Sequence, residues 1–120
     1  MTLMQFAIIL SGLGVVMTAL LSVIFLRDPK AGLVQTTHRL EKLPQVMTDR
    51  YIAMTVLAAG ATLYRDMAVI AVLFASFAFM AFADAWIYAR SGHPFSKHIG
   101  AGIAASLVVI VALMALRATA

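Results

Sequence analysis

Hydrophobic and polar positions fall in long blocks along this chain. Residues 3–26 form an apolar run with no charged side chain, longer than the about 20 residues a helix needs to cross a bilayer. A polar connector follows, RDPKAGLVQTTHRLEKLP. The second apolar run, 51–64, is too short to span alone. It reaches full length only if its helix begins at Pro44 and takes in Asp49 and Arg50. Proline suits the first turn of a helix, where its missing N–H forfeits no bond. A two-residue turn, Arg65-Asp66, leads to a third run at 67–89, which carries Asp84. The loop RSGHPFSK, punctuated by Gly and Pro, introduces a fourth run at 98–116.

These blocks predict an all-α fold, an integral membrane antiparallel four-helix bundle in one domain over residues 1–120. Its helices are expected at 3–26, 44–64, 67–89 and 98–116, with a connector at 27–43. Inside the connector, HRLEKL predicts a short helix lying at the membrane interface, with Leu40 and Leu43 on one face. The first run lacks a basic leading segment and exceeds the ~7–15 residues of a signal-peptide core, so it reads as a retained helix. FLRDPK and YARSGHPFSK echo one another after the first and third helices. A helix-pair duplication gives such an echo, and so does shared turn chemistry.

Composition strengthens the membrane reading. The 120 residues are 63% hydrophobic and 12% charged, against about half and roughly a quarter in soluble domains. The net charge of +4 lies in loops and not on one patch, so nucleic acid is not an expected partner. Loop cations set orientation instead. Arg27, Lys30, Arg39, Lys42, Arg90 and Lys97 fall on one side, Arg65 and Arg117 on the other. The expectation is a multi-pass protein of the bacterial inner (plasma) membrane with both termini outside. With no cysteine there is no disulfide and no thiolate chemistry. In the fourth helix Gly100, Ala101, Gly102, Ala104, Ala105 and Ser106, and in the first Ser11, Gly12 and Gly14, predict close helix packing.

Ionisable groups at membrane depth face partners or wet cavities. If the second and third helices fold back at Arg65-Asp66, Arg50 lies about 21 Å and Asp84 about 27 Å from the turn at 1.5 Å per residue. The two are then at similar depth, and His98 opens the fourth helix on the same side. Helical phase puts Asp84 on a face with Phe77, Ala81 and Tyr88. It puts Trp86 and Arg90 about 200° away, as an aromatic anchor and a snorkelling cation at the lipid surface. On the second helix Arg50 shares a face with Ala53, Leu57 and Ala61. The candidate ligand-binding cluster is Arg50, Asp84 and His98, surrounded by Asp49, Tyr51 and Tyr88.

Three readings of that cluster stay open: an inert Arg50–Asp84 lock, a ligand site, and a proton or ion path. The lock asks least of the sequence. Acidic residues at several depths would mark a path, and the first and fourth helices carry none. His93 and His98 are five apart with Pro94 between them, unlike the i,i+4 pairs that hold zinc, so no metal is assigned. His38 reads as solvated and the methionines as core filler. No phosphate-loop, nucleophile-elbow, zinc-protease or dinucleotide motif occurs.

The pattern Asp84-Ala85-x-Ile87-x-x-Arg90-x-Gly92, then His98-x-Gly100 and a small-residue last helix, resembles the DoxX-like small four-helix membrane proteins, in an uncharacterised branch. The Arg27-x-Pro29 turn fits as well. The branch commonly has Gly where this chain has Ala83, and Arg-Asp where it has Asp49-Arg50. The resemblance implies a four-helix bundle with a polar cluster at one end and no particular reaction. More distant relatives are subunits of quinone-linked oxidoreductases or helpers of membrane-protein assembly. The expected function is a non-catalytic membrane subunit or helper that binds a quinone- or lipid-like molecule. Asp84 and Arg50 would fix the polar head, and Tyr88 and His98 would donate hydrogen bonds. The expected partners are the bilayer, that apolar small molecule, and a second copy or a larger membrane complex. The alternative is a membrane-embedded isomerase or cyclase with Asp84 as general acid or base, His98 as proton partner and Arg50 holding charge. That chemistry needs an open pocket beside Asp84.

Overall fold

In a computed structural model describing residues 1–119, the chain is helical, with no strand among the described residues. The elements are α1 (Leu3–Arg27), α2 (Pro29–Gln35), a 3-10 turn (Leu40–Lys42), α3 (Leu43–Tyr64), α4 (Met67–Arg90) and α5 (Ser96–Thr119). The surroundings of Gly12 and Gly14, where close packing was expected, lie outside the described residues.

Local chemistry explains most helix ends. Thr2 caps α1 reciprocally: its hydroxyl accepts from the Gln5 N–H at 3.1 Å, and its own N–H donates to Gln5 Oε1 at 2.9 Å. Asp28 ends α1 and starts α2. Its Oδ1 accepts from the N–H groups of Lys30 and Ala31, and Pro29 takes the first helical position. Asp66 caps α4 in the same way through Ala68 and Val69. Within α1, α3, α4 and α5, Ser and Thr hydroxyls such as Ser22, Thr55, Thr62, Ser76 and Ser106 bond back to carbonyls of their own helix. Such polar groups need no water.

The connector differs from expectation. The helix forms earlier, at Pro29–Gln35, because Asp28 and Pro29 supply a start signal. The expected HRLEKL helix is a single 3-10 turn running into α3. His38 is also engaged, its Nδ1 lying 2.7 Å from Thr36 Oγ1.

The chain divides into two compact units, residues 1–49 and residues 50 onward, with α3 crossing the boundary. In the first unit α2 packs against the end of α1. The Phe25 ring lies so close over Gly32 that a Cβ there would come within 2.8 Å of it. In α1 the apolar side chains Leu13, Val15, Val16 and Met17 are exposed on successive faces. A helix apolar all round belongs in lipid or in a large core.

In the second unit α4 and α5 form a packed antiparallel hairpin. Ala71, Ala78 and Ala85 recur every seven residues along the buried seam of α4, and α5 answers with Gly102, Ala105 and Ala112. The Phe82 ring covers Gly102, where an added Cβ would come within 2.5 Å of Cε1. Of the small residues expected to pack, Gly102 and Ala105 do so and Ser106 is half-buried. Gly100, Ala101 and Ala104 are exposed.

Within this unit α3 has no packed helix neighbour, so the expected four-helix packing is not formed by α3, α4 and α5. Among the described residues three helices, α1, α4 and α5, are long and apolar enough to cross a membrane. The fourth expected span, α3, carries Asp49 and Arg50 near its start.

Candidate functional site

The polar cluster is built by the end of α4, the loop after it and the first turn of α5. Asp84 and Tyr88 are four residues apart on α4 and so share a face. After Arg90 the chain closes the helix with Gly92 at φ 72°, a left-handed conformation open to glycine at little steric cost. The Gly92 N–H donates to the Ala89 carbonyl at 3.3 Å, and the His93 N–H to the Tyr88 carbonyl at 2.9 Å. This pair of bonds folds the loop back over the helix end. The His93 ring consequently meets Tyr88 edge-on, with centroids 6.3 Å apart.

His98 arrives from the other side. Its ring stacks on Tyr88 at 5.0 Å between centroids and 23° between planes. Its Nδ1 lies 3.9 Å from Asp84 Oδ2. That separation exceeds a hydrogen bond, and an ion pair exists there only when His98 is protonated. The two side chains are 32% and 45% exposed, His98 and Asp84 respectively, so the gap between them is reachable from outside the hairpin. Tyr88 holds the plane of the imidazole while leaving its nitrogens free to bond elsewhere.

Trp86 and Arg90 occupy the outward face of α4. Trp86 is 64% exposed, and the Arg90 guanidinium carbon lies 5.8 Å from the centre of its ring, within cation–π range.

Of the six candidate ligand-binding residues, Asp84, Tyr88 and His98 come together. Arg50 does not join them: it is exposed and makes no ion pair among the described residues, and the partner of Asp84 is His98. The expected Arg50–Asp84 lock is therefore absent, because α3 does not run back along α4. Tyr51 is exposed, and on the Arg50 face Ala53 and Leu57 are exposed while Ala61 is buried next to the turn. Asp49, in the first unit, is exposed. His93 is the member sequence reasoning missed. The signal was the Gly92 turn, which carries it back to Tyr88.

No group of three or more metal-ligating side chains occurs among the described residues. An open apolar groove of about 450 Å³ lies on α4 along Ala68, Val69, Val72, Leu73 and Ser76. Its nearest member, Ser76, is eight residues, about 12 Å, from Asp84 along the helix. The groove and the polar cluster are separate features. Compared with known protein families, curated proteins and solved structures, the chain matches none.

Proposed function

We propose that this chain is a small multi-pass protein of the bacterial inner membrane. It acts as a non-catalytic subunit or helper that holds the polar head of a lipid- or quinone-like molecule at the Asp84–Tyr88–His98 cluster. The observation that carries this reading is the 3.9 Å gap between His98 Nδ1 and Asp84 Oδ2. It leaves a carboxylate and an imidazole, fixed by stacking on Tyr88, with bonding capacity directed at something between or beside them. A hydroxyl of a ligand head, donating to the carboxylate and exchanging a hydrogen bond with the imidazole, fits such a gap as a bridging water does.

The membrane placement draws on the three apolar helices and on the apolar surface of α1. With α3 crossing as a fourth span, the positive-inside rule places the connector after α1 and the loop after α4 in the cytoplasm and both termini outside. The DoxX-like resemblance, carried by Asp84, Arg90, Gly92, His98 and Gly100, agrees with a non-catalytic membrane role.

The test is to purify the full chain in mild detergent, extract it with organic solvent and identify what co-purifies by mass spectrometry. One lipid or quinone species should be enriched at near-stoichiometric amounts. Asp84→Asn and His98→Gln should each lose it while circular dichroism keeps the helical signal. Equal retention in wild type and both variants, or no enrichment in wild type, overturns the reading.

A further inference from the structure

We infer that the knee between α1 and α2, with the 3-10 turn after it, is a docking surface for anionic phospholipid headgroups. This rests on the membrane reading of α1 but not on any ligand at Asp84. Four cations lie within sixteen residues: Arg27, Lys30, Arg39 and Lys42. All four are exposed, and none makes an ion pair or a side-chain hydrogen bond among the described residues. The local acids do not answer them. Asp28 spends Oδ1 on the N–H groups of Lys30 and Ala31. Glu41 is exposed and makes no ion pair among the described residues, so the segment keeps an excess of positive charge.

The geometry suits a membrane surface. α1 ends at Arg27, and Asp28 breaks the helix in an extended conformation, φ −153° and ψ 97°. The new helix is then held against the old one by Phe25 over Gly32. Arg27 and Lys30 are thus fixed at the end of an apolar helix, and the His38 N–H bond to the Leu33 carbonyl, at 2.8 Å, ties the chain leading to Arg39 and Lys42 back to α2. Val34 and Leu40, 75% and 70% exposed, lie between them in sequence and supply apolar contacts for the acyl boundary. Unpaired cations interleaved with exposed aliphatic side chains at a span's end complement a negatively charged leaflet.

The experiment uses the full chain, delipidated in detergent and offered equal amounts of phosphatidylglycerol and phosphatidylcholine, with retained lipid counted by native mass spectrometry. Wild type should retain phosphatidylglycerol preferentially. Changing Arg27, Lys30, Arg39 and Lys42 all to Gln should reduce that preference roughly tenfold or more, since each cation near an anionic surface contributes about a fivefold gain. The control, Arg65→Gln with Arg117→Gln, should keep it. Loss of preference in the control as well, or full retention in the fourfold variant, overturns the inference. So does release of the lipid by millimolar inorganic phosphate at constant ionic strength, which marks a site for a free anion. Resistance of wild type to carbonate extraction from membranes tests the membrane reading separately. A chain that resists extraction yet shows no lipid preference overturns the docking surface alone.

Discussion

Gly102→Ala is the sharpest probe of the α4–α5 hairpin. The new Cβ would come within 2.5 Å of Phe82 Cε1 and 2.7 Å of Cδ1 and Cζ. Carbon atoms pack best at about 3.5–4.0 Å, so the ring or the helix must move by about 1 Å. Overpacking of this kind destabilises by about 1–3 kcal/mol. Phe82 is partly exposed and its ring can swing, which favours the lower half of that range. Against it stands the gain of Ala over Gly in a helix, about 1 kcal/mol. Gly100→Ala is the matched control, on the same helix with nothing within 4 Å of the new Cβ. It gains the propensity and meets no clash. The two substitutions should therefore differ by about 1–2 kcal/mol, with Gly100→Ala stabilising. Both are measured by denaturant unfolding in mild detergent, followed by the fluorescence of Trp86, the sole tryptophan. In a Phe82→Ala background the penalty at Gly102 should disappear, because the atoms the Cβ meets are gone. Equal effects at Gly100 and Gly102, or a Gly102 penalty undiminished by Phe82→Ala, would refute the described packing.

Three other outcomes are expected from the same unfolding measurement. Asp66→Ala removes the acceptor for the Ala68 and Val69 N–H groups and should destabilise by about 0.5–2 kcal/mol, with Asp66→Ser restoring most of the loss. Arg65 holds φ 63°, so Arg65→Gly should stabilise by about 1 kcal/mol through relief of the left-handed strain; a loss of similar size would mean that the arginine side chain secures the turn. Asp84→Asn should change stability by less than about 1 kcal/mol, since its partner lies 3.9 Å away and both side chains are partly exposed; a loss above about 3 kcal/mol would mark a buried, structural ion pair.

How far the sequence reached depended on the range of each interaction. Asp66 before an apolar run, Pro44 at the start of a helix and Gly92 after one act over a few residues, and the helix limits follow from them within a few positions. Helical phase is local too. It placed Tyr88 beside Asp84 and sent Trp86 and Arg90 to the outer face. The α2 helix was missed although Asp28 and Pro29 form a start signal, because seven residues are too few to show a period. The pairing of α3 with α4 was beyond reach for a different reason. Similar distance from a turn places two residues at one level only if the helices fold back. The backbone at Arg65 and Asp66 sets that direction, together with the seam each helix offers. The α4 helix offers small residues every seven positions and α5 meets them with Gly102, Ala105 and Ala112, whereas α3 has only Ala61 buried.

The polar cluster is consequently a property of the α4–α5 hairpin, and Arg50 can be separated from it by experiment. Arg50→Gln leaves Asp84, Tyr88 and His98 in place, since no contact links them to Arg50 among the described residues. Ligand retention should then survive Arg50→Gln and fail in Asp84→Asn. If the sequence expectation of an Arg50–Asp84 pair were right, both variants would fail together. An Arg50→Asp/Asp84→Arg exchange would then recover what each single reversal loses, as a charge pair requires. In the described arrangement the exchange recovers nothing, because the residue facing Asp84 is His98 and not Arg50. Co-purification from Arg50→Gln, Asp84→Asn, the two single reversals and the exchange decides between the two geometries, and so decides whether α3 belongs to the site.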